Sequence, residues 1–179
     1  ERYQDDVKQV GRIIDYLTEN KALLPGGGQL TVERFQQLGI SFGMANGYDQ
    51  GHFLLEDPFV KANGKLELSY SFLKAFEQSH NFETNPLYVL LHEAIYCEGK
   101  ASNWSAHRVR SEFPEFDANS ANDEKYFTGE MVYPWMMDQY DYLFPMKEAA
   151  NLLAEYEDWP RLYDPEKLAK NDVRVNALV

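Results

Sequence analysis

The chain has 179 residues, of which 44% are hydrophobic and 26% are charged, and its formal net charge is −12. A chain this acidic repels phosphate backbones and anionic lipid surfaces, so neither nucleic acid nor a membrane is an expected partner. The acidity suits a cationic substrate, although it also serves solubility alone. The single cysteine, Cys97, excludes an intrachain disulfide, and we expect a cytoplasmic protein without a transmembrane helix.

Helical spacing dominates the first half of the chain. Residues 3–19 place apolar side chains at the period of an amphipathic helix, and "LPGGG" ends that pattern. Thr31 is expected to cap a helix over "VERFQQL", with Glu33 in the first turn, where the helix dipole favours an acid. Beyond it, "ANGYD" and "ANGK" predict turns, and "HFLLEDPFV" and "LSYSFLKAFEQ" predict helices, the former interrupted near Pro58.

The second half is predicted to be helical up to its last residues. The clearest element covers residues 86–98, where Asn85 can cap the helix, Pro86 suits its first position and Gly99 ends it. We therefore predict an all-α domain with one strand-like segment at the end that has no partner strand. The remaining predicted elements are the helices "NWSAHRVRSEF" capped by Asn103, "MKEAANLLAEYE" and "DPEKLAKN", a polar loop over residues 117–125, and the strand-like "DVRVNALV".

The stretch Gly39-Ile40-Ser41-Phe42-Gly43 matches G-x-S-x-G, the nucleophile elbow of α/β-hydrolases. An elbow needs a buried strand before the serine and a helix after it, whereas helical spacing precedes Ser41 and a turn follows it. The four histidines lie in or beside predicted helices rather than on a loop after a strand. We therefore interpret Ser41 as incidental, and Gly39 and Gly43 as positions of close helix packing.

Glu93 lies in a stretch, Leu87 to Cys97, where His92 is the other polar side chain apart from tyrosine hydroxyls. A carboxylate in apolar surroundings is costly to bury unless it finds a partner. Two interpretations stay open: Glu93 pairs with Arg108 or Arg110 of this chain, or it awaits a cationic ligand such as an amino group. On a continuous helix its neighbours would be Val89, Leu90, Tyr96 and Cys97.

The same stretch begins like a zinc helix of the H-E-x-x-H type. Tyr96 occupies the place of the second histidine, so no metal is predicted there, and no cofactor is expected elsewhere. We interpret His92 as a packed, hydrogen-bonded histidine.

Residues 126–145 form an aromatic stretch, with Glu130 inside "FTGEM". Gly129 and Pro134 bend the chain, which favours a loop-like wall over a plain core helix. An aromatic wall beside a carboxylate can hold a small cationic, partly apolar ligand. The alternative is that these aromatic side chains form the core.

Four longer motifs, in chain order, resemble the cap region of prolyl aminopeptidases (proline iminopeptidases) of the longer form. They are "LPGGGQLTVERFQQLG", "NPLYVLLHEAIYCEG", "FTGEMVYPWM" and "EDWPRLYDPEKLAKN", and the resemblance covers nearly the whole chain. The resemblance implies a serine peptidase of the α/β-hydrolase fold. In that family a core domain carries the serine, aspartate and histidine, and a mostly helical cap, inserted between core strands, selects an N-terminal proline.

The resemblance also implies roles for residues of this chain. Shorter members of the family have a cap motif, Glu-Asn-His-Tyr-Phe, whose glutamate binds the substrate's amino group, and the stretch from Glu93 to Cys97 matches it at Glu93 and Tyr96. Glu130 is a candidate for the family's second glutamate, whose Trp-Glu motif is not found here. The expected ring contacts are Tyr96, Phe127, Tyr133 and Trp135.

We therefore expect residues 1–179 to be a single helical cap domain, a substrate-selecting lid that lacks the catalytic triad and is inactive by itself. Its expected partners are peptides with an N-terminal proline, its own α/β-hydrolase core and, through the underside that the core would cover, a second copy. The alternative is a stand-alone helical module that binds a protein or ligand without catalysis.

Overall fold

The computed structural model describes residues 3–80, 82–117 and 125–178. Its first half, as far as residue 80, contains four α-helices and two antiparallel β-hairpins, with a 3-10 helix over Gln37–Gly43. The helices are α1 (Gln4–Glu19), α2 (Val32–Gln36), α3 (Gly47–Leu55) and α4 (Tyr70–Ser79), and the strands are β1 (Ala22–Leu23), β2 (Gln29–Leu30), β3 (Phe59–Ala62) and β4 (Lys65–Leu68).

The predicted amphipathic helix at the start of the chain is confirmed as α1. Its apolar stripe is buried, whereas Val7, one turn before it, remains about half exposed. The stripe packs against α2 and α3, because a helix with one apolar face gains stability only by burying that face. We call this cluster the N-terminal core; it contains Val10, Ile13, Ile14, Leu17, Ala22, Leu24, Leu30, Phe35, Leu38, Leu55, Leu68, Phe72 and Phe76.

The hairpin of β3 and β4 was not predicted: its strands overlap the ends of the two predicted helices "HFLLEDPFV" and "LSYSFLKAFEQ" and both ends of the predicted turn "ANGK". The predicted turn between them is confirmed: Asn63 and Gly64 both have positive φ, 51° and 77°. Two such residues in a row form the tight turn that matches the twist of antiparallel strands. The turn at "ANGYD" is partly wrong, because α3 already begins at Gly47.

The second half consists of short helices joined by loops. Its α-helices are α5 (Pro86–Leu91), α6 (Ser105–Arg110), α7 (Met136–Gln139), α8 (Lys147–Glu155) and α9 (Pro165–Ala169), and 3-10 helices cover Ala94–Tyr96, Pro114–Phe116 and Phe144–Met146. This half has its own core, to which α9 does not contribute. We call it the C-terminal core; it contains Phe82, Val89, Val132, Tyr133, Met136, Met137, Tyr140, Leu143 and Ala150. The aromatic stretch is therefore divided: Tyr133 and Tyr140 are core, Phe127 and Trp135 are partly buried, and Tyr126, Tyr142 and Phe144 are exposed.

Two of the elements predicted in this half differ from the structure. The helix expected over residues 86–98 ends at Leu91 and is followed by a turn and a 3-10 helix. The strand expected at "DVRVNALV" is not formed in residues 172–178, which are exposed and pair with no strand of the described chain. A lone strand leaves its backbone groups without partners, so β-propensity alone does not produce one.

A buried polar network joins the two cores. Arg34, Gln36 and Gln37 on α2 and the 3-10 helix after it are at most 1% exposed. The guanidinium of Arg34 donates to the carbonyl of Gln139 at 2.7 Å and lies over the Tyr140 ring, 3.5 Å from its centroid. Arg34 and the two glutamines of "VERFQQL" thus face the second half of the chain, whereas Glu33 is exposed to water.

The mostly helical architecture predicted from the sequence is confirmed. The loop expected over residues 117–125 falls mainly in 118–124, outside the described residues. None of the helices in the described ranges combines the length and the apolar character that crossing a membrane requires.

Candidate functional site

Glu93 lies just beyond α5, in the turn that leads to the 3-10 helix Ala94–Tyr96. Its carboxylate reaches the start of α6, where Oε2 accepts a hydrogen bond from the backbone N–H of Ser105 at 3.0 Å and Oε1 one from Ala106 at 2.9 Å. The first N–H groups of a helix have no partner within it and carry partial positive charge, so a carboxylate there is favourable. Glu93 therefore caps α6.

This contact corrects two predictions. Asn103 was expected to cap the helix, but Trp104, with φ of 55°, precedes the first residue of α6 and supplies no side-chain cap. Arg108 and Arg110 were the expected ion-pair partners of Glu93, yet their guanidinium groups donate to the carbonyl of Ser102 and to Gln36, respectively. The charge of Glu93 is stabilised by a helix end rather than by a cation.

Glu130 is an exposed residue on the loop before α7. The hydroxyl of Tyr88 on α5 donates to its Oε1, and Nε2 of His92 donates to its backbone carbonyl at 3.1 Å. Burial, together with that hydrogen bond, raises the pKa of the Tyr88 phenol above its ordinary value, so Tyr88 remains a donor. The predicted role of His92 as a hydrogen-bonded histidine is confirmed.

Glu93 and Glu130, 37 positions apart in the chain, line one open cavity of about 360 Å³. Cavities of a few hundred cubic ångströms are the usual size of small-ligand sites. Tyr96 lies on the same wall and is 76% exposed, so its ring is available to a ligand. We call this space the glutamate cavity; its other lining residues are His92, Cys97, Lys100, Ala101, Ser102, Ser105, Ala106, Arg108, Met131 and Val132.

The other three aromatic residues expected at the site do not line the glutamate cavity. Phe127 packs against Phe35 and Phe42, with ring centroids 5.7 and 5.2 Å away, and borders a separate cavity of about 540 Å³. Tyr133 is buried in the C-terminal core, with its ring stacked on that of Trp135. Neither the spacing nor the composition of the stretch indicated which aromatic side chains face inward.

The positive side chains of the glutamate cavity, Lys100 and Arg108, were not predicted as site residues. No local sequence signal marked them, because the two residues are eight positions apart and meet only at the cavity. The cavity therefore presents charges of both signs. Burial, followed by the charge of Glu93, raises the pKa of Cys97, whose thiol is therefore a neutral part of the wall.

Ser41 lies inside the 3-10 helix Gln37–Gly43, not on a turn between a strand and a helix. A Cβ atom at Gly39 would lie 2.2 Å from the carbonyl oxygen of Thr128, so the predicted close packing is confirmed there. At Gly43 it is wrong, because a Cβ would meet nothing within 4 Å. Among the described residues, no three His, Cys, Asp or Glu side chains are placed to hold a metal ion.

The chain is thus a mostly helical domain with an open cavity that is lined by two carboxylates and two cationic side chains. The chain is 45% identical to proline iminopeptidase of Aeromonas sobria over 168 residues, which are 94% of this chain and 38% of that protein. It is 39% identical to proline iminopeptidase aneH of Aspergillus aculeatus over 178 residues, which are 97% of this chain and 38% of that protein.

The chain is therefore related to the proline iminopeptidases along nearly its whole length, as the resemblance predicted. It spans about 38% of the length of each of these curated relatives. No protein-family model matches it.

Proposed function

We propose that the chain is the substrate-selecting lid of a prolyl aminopeptidase, a serine peptidase that releases N-terminal proline from peptides. The catalytic serine, aspartate and histidine would lie on an α/β-hydrolase core elsewhere in a longer protein. The similarity to proline iminopeptidases supports this assignment. The observation that carries it is the meeting of Glu93 and Glu130 at one open cavity.

The two carboxylates suit the nitrogen of an N-terminal proline. That nitrogen is a secondary ammonium with two N–H donors, and an ionised carboxylate has about four acceptor positions. Glu93 uses one position on each oxygen for α6, and Glu130 uses one for Tyr88, so both retain acceptors. Charge-assisted hydrogen bonds of this kind are the strong ones.

The lid would position the substrate and exclude water, and it would supply no reacting group. In a serine peptidase, the serine attacks the scissile carbonyl with histidine as the base. Holding the substrate's ammonium in the glutamate cavity would fix where the next carbonyl lies, and a closed lid would exclude water. In this proposal Tyr96 contacts the proline ring, while Phe127, Tyr133 and Trp135 shape the domain from behind the wall.

Exposed apolar side chains beside the cavity fit a covering core domain. On α5 and the 3-10 helix that follows it, Leu87, Leu91 and Ile95 are 41–70% exposed. A cluster of this kind beside a binding site is typical of a surface that contacts another domain. In the absence of the core, the same surface would favour the expected dimer, and both that dimer and the cytoplasmic location stay predictions.

The test uses the longer protein, with proline p-nitroanilide as substrate. Glu93→Gln and Glu130→Gln should each raise KM about 10- to 100-fold, because each removes a charged acceptor of the substrate's ammonium. The matched control is Glu112→Gln, an exposed residue that does not line the glutamate cavity and should leave KM unchanged. An unchanged KM in both cavity variants would contradict the proposal.

Because Glu93 also caps α6, its variant needs a check of the fold. Circular dichroism and the melting temperature separate loss of binding from loss of structure. Glu130 makes no helix cap, so Glu130→Gln should change KM without a comparable change in melting temperature.

A further inference from the structure

The glutamate cavity carries two cationic side chains opposite in sign to its carboxylates. Lys100 is exposed, lines the cavity and forms no ion pair with the described residues. An ammonium group without an ion-pair partner can donate all three of its N–H groups to an anionic ligand.

Arg108 is held in place at the same cavity. Its Nε donates to the carbonyl of Asn103 at 3.0 Å, and its Nη2 donates to the carbonyl of the buried Ser102 at 2.9 Å. These bonds fix the plane of the guanidinium, and Nη1 has no acceptor within the described part of the chain. A pre-positioned arginine with free donors binds a carboxylate without losing much conformational entropy.

The negative and positive groups of the cavity lie near each other. Nη2 of Arg108 lies 3.5 Å from the hydroxyl oxygen of Ser105, and the backbone N–H of the same serine donates to Oε2 of Glu93 at 3.0 Å. The volume of about 360 Å³ corresponds to roughly twelve water molecules. This volume is within the range of small-ligand sites, as a ligand of dipeptide size requires.

We propose that Lys100 and Arg108 bind a carboxylate carried by the substrate, so that the lid favours prolyl peptides with a negative charge next to the released proline. This inference rests on the proposed function, in which Glu93 and Glu130 hold the ammonium end. The carboxylate has two sources with the same chemistry: the C-terminus of a dipeptide, or the acidic side chain of a second residue.

The experiment measures proline release by the longer protein from three substrates: Pro-Gly, its C-terminal amide Pro-Gly-NH2, and Pro-Asp-NH2. The KM for Pro-Gly should be about three- to fivefold lower than for Pro-Gly-NH2, the size expected of a half-exposed ion pair. Lys100→Met should reduce that difference by raising KM for Pro-Gly alone, Lys100→Arg should restore it, and the difference that remains in Lys100→Met is the contribution of Arg108. Lys170→Met, at an exposed lysine beyond α9, is the matched control and should retain the difference.

Each arm has a distinct meaning. If Pro-Asp-NH2 shares the low KM and loses it in Lys100→Met, the acidic side chain is accepted as well as the C-terminus; if it behaves like Pro-Gly-NH2, the C-terminus is the ligand. Equal KM values for Pro-Gly and Pro-Gly-NH2, unaffected by Lys100→Met, would overturn the inference and leave the proposed function standing. If the longer protein released proline from none of the three substrates, the proposed function itself would be overturned.

Discussion

The two cores of this domain are built from different kinds of element. The N-terminal core is closed by helices as long as 16 residues, and α1 and α4 each bury a continuous apolar stripe. The C-terminal core is assembled from helices of four to nine residues and the loops between them, and the glutamate cavity opens beside it.

That difference has an energetic consequence. An isolated helix of four to six residues is not stable in water, because nucleation costs more than its few hydrogen bonds return. The short helices α5, α6 and α7 therefore depend on tertiary contacts, and several of those contacts come from the 3-10 helix and α2 of the first half. The first half, with its longer helices, therefore stabilises the short helices of the second half, and the second half contains the glutamate cavity.

The largest loss of stability is expected when the guanidinium of Arg34, which joins the two cores, is removed. Arg34→Met should lower the free energy of unfolding by about 3–5 kcal/mol, because it leaves the half-buried Glu83 without its cation and the Gln139 carbonyl without its donor. Denaturant unfolding of the chain measures this. Arg161→Met, at an exposed arginine, is the control and should change stability by less than about 0.5 kcal/mol.

If Arg34→Met were as stable as the parent, the two cores would not depend on that connection. A loss of near-ultraviolet ellipticity confined to the tryptophans, which all lie in the second half, would show that the C-terminal core fails first.

A smaller loss of stability is expected at acidic pH, where His80 becomes protonated on unfolding. The ring of His80 lies between Phe76 of the N-terminal core and Phe82 of the C-terminal core, 4.7 and 6.1 Å from their centroids. Burial lowers the pKa of His80 from 6.5 to about 4, so the unfolded chain binds the proton more tightly between these values. The free energy of unfolding is therefore undiminished by His80 above pH 6.5, and it decreases as the pH falls from 6.5 toward 4.

When the pH is lowered from 7.5 to 4.5, protonation of His80 in the unfolded chain should therefore reduce the free energy of unfolding by about 2–3 kcal/mol. Urea unfolding across that range should show a shallower pH dependence in His80→Gln than in the parent chain. His107→Gln, at an exposed histidine of α6, should retain the parent's slope. Identical slopes in His80→Gln and the parent would show that His80 is not protonated on unfolding.

The smallest effect concerns the packing of Gly39 against the loop that leads to Glu130. Thr128 donates its N–H to the Gln36 carbonyl at 2.9 Å, and its own carbonyl lies where a Cβ of residue 39 would be. Gly39→Ala should therefore destabilise the chain by about 1–3 kcal/mol through overpacking. Gly43→Ala, four residues on in the same 3-10 helix, has open space and should change stability by less than about 0.5 kcal/mol.

The paired glycine variants also decide between packing and catalysis as the reason for the G-x-S-x-G match. Equal effects at Gly39 and Gly43, measured by thermal unfolding, would contradict the packing explanation. A large effect at Gly39 alone agrees with it.

The sequence by itself determined the elements whose reasons are local. The apolar stripe of α1, the Thr31 cap of α2 and the Asn63-Gly64 turn were predictable because periodicity, capping and positive φ act within a few residues. Glu93 stood out for the same kind of reason, as a carboxylate in an apolar stretch.

Only the tertiary structure decided which partners those residues meet. Helical period placed Glu93 among its own neighbours, but α5 ends at Leu91, and the freed carboxylate reaches Ser105 and Ala106 instead. Likewise, Arg34, Gln36 and Gln37 are buried because the second half of the chain supplies carbonyls, a hydroxyl and a ring for them. Hydrogen bonds between residues 74 to 108 positions apart have no signature in local spacing, and those bonds fix the position of the loops around the site.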